Sequence, residues 1–298
     1  MTSSSWYHVR IAAILVAAAA SAWTAALRAE WIVDIGAAGR YDSNLTRAQD
    51  AADRRPDRAL TFAASVARHE SLSGYDGIRF GIDLRAELHD RYRGLDFIGI
   101  GASASYRRKF ALGLTAPYGV LTASVSHDDY RVDVRDGNRL DLGVELGRRH
   151  SESLDIGAGL AYDRRHATTS VAILPGVSGA IFDLRGGSAF ARADYALDER
   201  WMLGGRVAVR RGDVESTSQR SRPVFLASDA IADDPAFRDP LLFGYRLRGT
   251  TVSLGGTLGY ALGDHCAIHV AYVDEVTNAA RDLRYRSHTV NVAFDYRF

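Results

Sequence analysis

Lysine and cysteine are almost missing: Lys109 and Cys266 are the only ones in 298 residues. A lone cysteine cannot form an internal disulfide or build a cysteine-based metal site. Proline is scarce, at 6 residues. Neither charge is in surplus, with Lys+Arg at 37, Asp+Glu at 36 and a formal net charge of +1. That balance argues against the basic footprint of a nucleic-acid binder, so no nucleic-acid partner is expected. After residue 30 no apolar run approaches the ~20 residues of a membrane-spanning helix, which excludes a polytopic helical membrane protein. The remaining composition is 47% hydrophobic and 24% charged, with 28 glycines. It is that of a folded chain, not of a disordered tail or a collagen.

Residues 1–29 read as a secretory signal peptide. Met1 to Arg10 is polar and ends in His8 and Arg10, and Ile11 to Ala20 is the apolar core. Ala20-Ser21-Ala22 is a small-x-small cleavage triplet and Leu27-Arg28-Ala29 a later candidate, so cleavage is expected after residue 22 or 29. The alternative, an N-terminal membrane anchor, suffers from the shortness of that core. No cysteine lies near the cleavage triplets, which argues against a lipoprotein. Residues 30–298 are expected to form one domain.

That domain alternates with period two, the mark of strands whose successive side chains face opposite ways. In Gly77 to Arg91, Ile78, Phe80, Ile82, Leu84, Ala86 and Leu88 share one face. Arg79, Asp83, Arg85, Glu87 and His89 share the other. Arg139 to Arg149 and Leu154 to Arg165 repeat the pattern. A soluble sandwich would also alternate. The strands here look about 12 to 16 residues long, however, against about 5 to 6 in soluble proteins. The expected fold is therefore all-β, a transmembrane antiparallel up-and-down barrel of twelve strands. These are placed at about 30–43, 58–71, 75–90, 95–108, 116–130, 138–150, 154–167, 186–198, 201–213, 245–262, 265–276 and 286–298. With the N-terminus inside, the long connections Leu45 to Asp57, Thr168 to Arg185 and Glu215 to Gly244 all fall on the outside. Bacterial barrels show that parity of tight inner turns and longer outer loops.

The chain ends in a row of alternate apolar or aromatic residues, Val290, Val292, Phe294, Tyr296 and Phe298. This row resembles the closing strand and insertion signal of bacterial outer-membrane β-barrel proteins. The resemblance implies residence in the outer membrane of a Gram-negative bacterium. It also implies contact with outer-membrane lipid and lipopolysaccharide, and recognition by the barrel-assembly machinery. A second, four-residue likeness lies in Tyr41-Asp42-Ser43-Asn44. It resembles the first strand end of some uncharacterised barrels and of the barrel module of surface-lipoprotein assembly modifiers, and by default it marks a strand-end turn.

Charges facing lipid would be costly, so the charged face is assigned to the lumen. The expected lumen set is Arg79, Asp83, Arg85, Glu87, Asp141, Glu145, Asp163, Arg165, Arg206 and Arg210, and Arg246 and Arg248 are assigned with it. Both signs occur, which suits either a narrow hydrated channel or an interior crosslinked by arginine–carboxylate pairs. The small residues Gly99, Gly101, Ser103 and Ser105 leave local space for a loop or a long arginine.

Candidate hydrolase constellations do not assemble well on paper. His69 and Ser71 share a face, but at the periplasmic end. His127 lacks a serine two positions away, His166 has only Thr168, and Ser287 and His288 are on opposite faces. No catalytic, cofactor-binding or metal-ligating set is therefore assigned, and no cofactor is expected. Glu215 to Gly244 is too apolar for a solvated loop and is expected to pack on Thr168 to Arg185, partly covering the lumen. The function expected is a narrow, porin-like passive channel for small polar solutes or ions. The alternative is a structural or accessory barrel of an envelope or export system, with an outer-membrane enzyme behind both.

Overall fold

The computed structural model describes residues 31–298, so the expected signal peptide lies outside the described residues. Eight strands run antiparallel in chain order: β1 (Trp31–Asp42), β2 (Asp57–Ser71), β3 (Asp76–His89), β4 (Phe97–Lys109), β5 (Tyr118–Tyr130), β6 (Gly137–Arg149), β7 (Leu154–Ala167) and β8 (Leu184–Ala196). They continue as β9 (Trp201–Gln219), a short helix α1 (Arg222–Ala227), β10 (Ser228–Asp233), β11 (Leu242–Ala261), β12 (Cys266–Ala279) and β13 (Arg284–Arg297). Twelve of these form the barrel. β9 pairs directly with β11, and β13 closes the sheet on β1 from Asp34↔Arg297 to Asp42↔Thr289. Closure pairs every edge, which a lipid-facing sheet requires because the hydrocarbon offers no hydrogen-bond partners.

The alternation decides which face meets lipid. Ile82, Ile100, Leu160 and Leu254 remain 56–62% exposed. They belong to a belt of exposed aliphatic side chains that recurs on strands all round the barrel. Such a belt would be an aggregation liability in water; it is the expected outer surface in a bilayer. Aromatic residues border it at the periplasmic end, where Trp201 meets Tyr260 at a tilt and Tyr296 meets Phe298 edge-on.

The largest departure from the strand placement concerns residues 215–244. β9 and β11 do not stop at the barrel rim but remain paired up to Leu242↔Gln219. Beyond the rim β12 no longer flanks β11, and β10 takes its place, pairing from Ser228↔Leu247 to Asp233↔Phe243. The sequence therefore holds a thirteenth, non-barrel strand inside what reads as a loop. Strand β5 begins only at Tyr118, after Pro117, which has no N–H to give a ladder.

The apolar core lies above the barrel. Val214, Ile231, Phe243, Tyr245, Leu247 and Tyr285 form one buried cluster, with Ile173 and Val177 packed on it. Ile181, Phe182, Ala230 and Ala232 form a second; Leu95, Ala236, Phe237 and Leu242 form a third. The packing expected between Glu215–Gly244 and Thr168–Arg185 is present. The third cluster adds Leu45 and Tyr92 from two further outer loops.

Candidate functional site: a capped, charge-lined interior

The inner face of the barrel is bridged by arginine–carboxylate pairs that skip a strand. Arg79 Nη2 lies 3.3 Å from Asp34 and Arg40 Nη2 2.9 Å from Glu87, both joining β1 and β3. Arg85 on β3 donates to Asp128 on β5 at 2.7 Å and to Ser126 at 2.9 Å. Arg192 on β8 donates to Glu145 on β6 at 2.7 Å. Arg210 on β9 forks onto Asp163 on β7 at 2.8 and 2.5 Å. A pair can reach over the middle strand only where that strand carries little side chain. A Cβ on Gly99 of β4 would sit 2.5 Å from Asp128 Oδ1, and one on Gly157 of β7 would sit 2.6 Å from Glu145 Oε1. The space left at Gly99 is thus filled by a long arginine, Arg85.

The other residues of the lumen set are placed differently. Asp83 accepts from Ser103 at 2.8 Å. Arg165 lies over the Tyr130 and Phe182 rings at 5.2 and 5.3 Å and donates to the Arg135 carbonyl at 2.5 Å. Arg206 lies 3.9 Å over the Phe190 ring. Asp141 and Arg206 line both of two interior cavities, of about 490 and 590 Å³. Arg246 and Arg248 do not belong with these. The β11 register puts them on the same face as Val252 and Leu254, above the rim. There Arg246 donates to the Ala180 and Asp183 carbonyls, and Arg248 to Asp229 at 3.1 Å. The sequence assigned them inward because the barrel was taken to end near residue 245, so their place beyond the lipid belt was hidden.

The outer mouth is closed by residues 220–241, laid across the other outer loops. At the centre Arg135, in the β5–β6 loop, forks onto Asp234 at 3.2 and 2.7 Å. Their side chains are 6% and 0% exposed. Thr217 Oγ1 donates to the same carboxylate at 2.8 Å, and Arg135 stacks 4.3 Å over Phe182. Burial works against the Arg135 charge. Asp234 and Glu215 more than offset it and hold the guanidinium above the ordinary arginine range, so Arg135 stays charged. On another side Arg55 meets Asp239 at 3.2 Å, and Gln219 N–H donates to Asp53 at 3.0 Å. Arg47 adopts φ 50°, a costly conformation for a residue with a side chain. It reaches down between Asp42, at 3.0 Å, and Glu275, at 3.7 Å.

Sequence reasoning missed Arg135 and Asp234, since nothing in the chain says that positions 99 residues apart meet. The one available signal was two acids, Asp233 and Asp234, inside an apolar stretch before Pro235. Asn44, marked as a strand-end turn, is 1% exposed; its amide donates to the Ala48 and Arg286 carbonyls at 3.0 and 3.1 Å. It ties the first outer loop to the closing strand. Of the histidines weighed for catalysis, His166 lies 3.3 Å from Asp183, and His127 lies 3.1 Å from Asn138. Ser287 and His288 do face opposite ways: Ser287 is buried, whereas His288 stacks on Tyr272.

Along the closing strand, Val290, Val292 and Phe294 are exposed on the lipid face, and Tyr296 and Phe298 continue that row. The Phe298 N–H donates to the Val33 carbonyl at 3.0 Å across the β1–β13 seam.

No family model matches the chain, and no curated protein sequence does. Among solved structures it is similar to an outer-membrane channel from Pseudomonas putida F1, at 9% identity. That match covers 91% of this chain and 96% of that one, with a TM-score of 0.57. It is also similar to the NanC porin, at 8% identity over 88% of this chain and 98% of that one, with a TM-score of 0.46. The KdgM porin, in complex with a disordered oligogalacturonate, gives 11% identity, 89% and 99% coverage and a TM-score of 0.44. The first of these likenesses shows a common fold. With its closed sheet and lipid-facing belt, the chain is an outer-membrane β-barrel.

Proposed function

We propose that this outer-membrane β-barrel is a narrow passive channel for small polar solutes or ions, with residues 220–241 as its outer gate. The observation that carries this reading is the pair of interior cavities under the cap, both lined by Asp141 and Arg206 among other residues. A purely structural barrel has no need to keep that space. The arginine–carboxylate bridges narrow the passage around it, and their mixed signs give no one-sided track for a polyanion or a polycation. The similar barrel from Pseudomonas putida is an outer-membrane channel, which fits the same use of the fold.

Reconstitution in planar bilayers tests the proposal. Small discrete conductance steps with a reversal potential near zero in a salt gradient are expected, because charge rings of both signs give weak ion preference. A folded barrel that stays silent would point instead to a structural or accessory role in the envelope.

The terminal row from Val290 to Phe298 is, in this reading, the signal presented to the barrel-assembly machinery as well as the last strand of the seam. Deleting Phe298 removes one seam hydrogen bond and one ring. It is expected to lower the assembled fraction sharply, measured as the unboiled gel-shifted band in outer-membrane preparations. Wild-type assembly after the deletion would show that the row acts only as an ordinary strand.

A further inference from the structure

The lipid-facing side of β7, β8, β9 and β11 carries a second charged site, above the apolar belt and outside the lumen. One register row there reads Tyr162↔Gly187↔Arg211↔Thr250. The row above it pairs Arg164 directly with Arg185. Two arginines face each other across adjacent strands, where like charges repel. Next in that row is Asp213, paired in register with Arg248. The carboxylates nearby are already engaged: Asp229 with Arg248, Asp183 with His166, and Asp213 with the Arg185 backbone N–H at 3.2 Å. Among the described residues the guanidinium groups of Arg164, Arg185 and Arg211 have no hydrogen bond or ion pair. All three are exposed. Between Tyr162 and Arg211, Gly187 has no side chain, and a Cβ there would meet nothing closer than the Ala161 carbonyl at 3.8 Å. The result is an outward notch of about 470 Å³, lined by Tyr162, Arg185, Gly187, Arg211 and Arg248, with the engaged Asp213 also on its wall. Directly beneath it lie exposed Leu160, Val209 and Val252.

We propose that this notch binds a phosphate group of an outer-leaflet glycolipid, whose acyl chains lie on the belt below. The arrangement meets that ligand at both ends. Arginine's planar fork matches phosphate oxygens. A cluster of arginines with no carboxylate partner, set at the polar boundary of a bilayer, calls for an anion fixed at that depth. The apolar residues below supply the surface for the chains. Lipopolysaccharide is the outer-membrane lipid with this chemistry. The site is independent of the interior, so it stands whether or not the barrel conducts.

Native mass spectrometry of the purified full barrel in detergent tests this with three probes: bisphosphorylated lipid A, its dephosphorylated form, and inorganic phosphate. The variants are the double substitution Arg185→Gln with Arg211→Gln, and Gly187→Phe, which fills the notch without touching a charge. Folding is checked by the unboiled gel shift. Each lost charge-assisted hydrogen bond is expected to weaken binding of the bisphosphorylated lipid by about tenfold or more. Gly187→Phe should weaken it too, and the dephosphorylated lipid should bind wild type and variants alike. Equal binding of the two lipids by the wild-type barrel, or an unchanged affinity in folded variants, would overturn the proposal. Inorganic phosphate binding as tightly as the lipid would assign the notch to a free anion and overturn the lipid source.

Discussion

Replacing residues 220–241 with a two-residue turn is expected to raise single-channel conductance several-fold and to leave the barrel folded. Gln219 and Leu242 are already partners across the β9–β11 ribbon, so a tight hairpin can join them without disturbing the ladder. The deletion removes α1, β10 and Asp234, and with them the centre of all three apolar clusters over the mouth. Arg135 then faces water and is no longer a buried charge, so the barrel carries no desolvation penalty. The single substitution Asp234→Ala differs. It keeps the cap but leaves Arg135 buried with only Glu215, at 3.7 Å. Breaking one side of a buried pair costs about 3–5 kcal/mol. That cost falls on the cap, so intermittent openings are expected where wild type stays at its small conductance. Planar-bilayer recording of both variants decides the matter. An unchanged small conductance after the deletion would place the barrier in the arginine–carboxylate bridges below, and an Asp234→Ala barrel that never flickers would argue against a gate.

Placing arginine at two nearby positions of β4 should give opposite results. Ile100 is 56% exposed on the belt, near the middle of its strand. Ile100→Arg puts a charge into hydrocarbon at a cost of about 2–4 kcal/mol. Ser103 faces the interior beside the cavity of about 590 Å³ and donates to Asp83 at 2.8 Å. Ser103→Arg gains a carboxylate partner and has room for its chain, so it should cost little. Urea unfolding in lipid vesicles, with the gel shift as a fold check, measures the difference. Equal destabilisation at both positions would mean that β4 does not present alternate faces to lipid and lumen.

The alternation of Ile78 to Leu88 against Arg79 to His89 was enough to find β3 and its two faces, because a strand's side-chain period is a local property. Twelve barrel strands follow from the same rule, with ends within about three residues except at β9, which runs on to Gln219. The β9–β11 ribbon above the rim was missed for a reason that is not local. It is stabilised by β10 and by three apolar clusters drawn from six outer loops. β10 lies between the two strands in the chain, but the other outer loops in those clusters are far away in sequence. Arg246 and Arg248 were misplaced by the same gap, since alternation fixes relative faces while the rim is set by packing.

What the sequence determined by itself was the β architecture, the lipid-facing row and the polar character of the interior. Each rests on the order of neighbouring residues, with strand length and loop parity setting the barrel apart from a sandwich that would also alternate. Which arginine meets which carboxylate was decided only by closure. Curling the sheet brings β3 within reach of β5, and β6 of β8, over Gly99 and Gly157. The closed mouth was decided later still, when Arg135 and Asp234 came together above the barrel. Burying an ion pair demands a partner, and only the folded loops supply it.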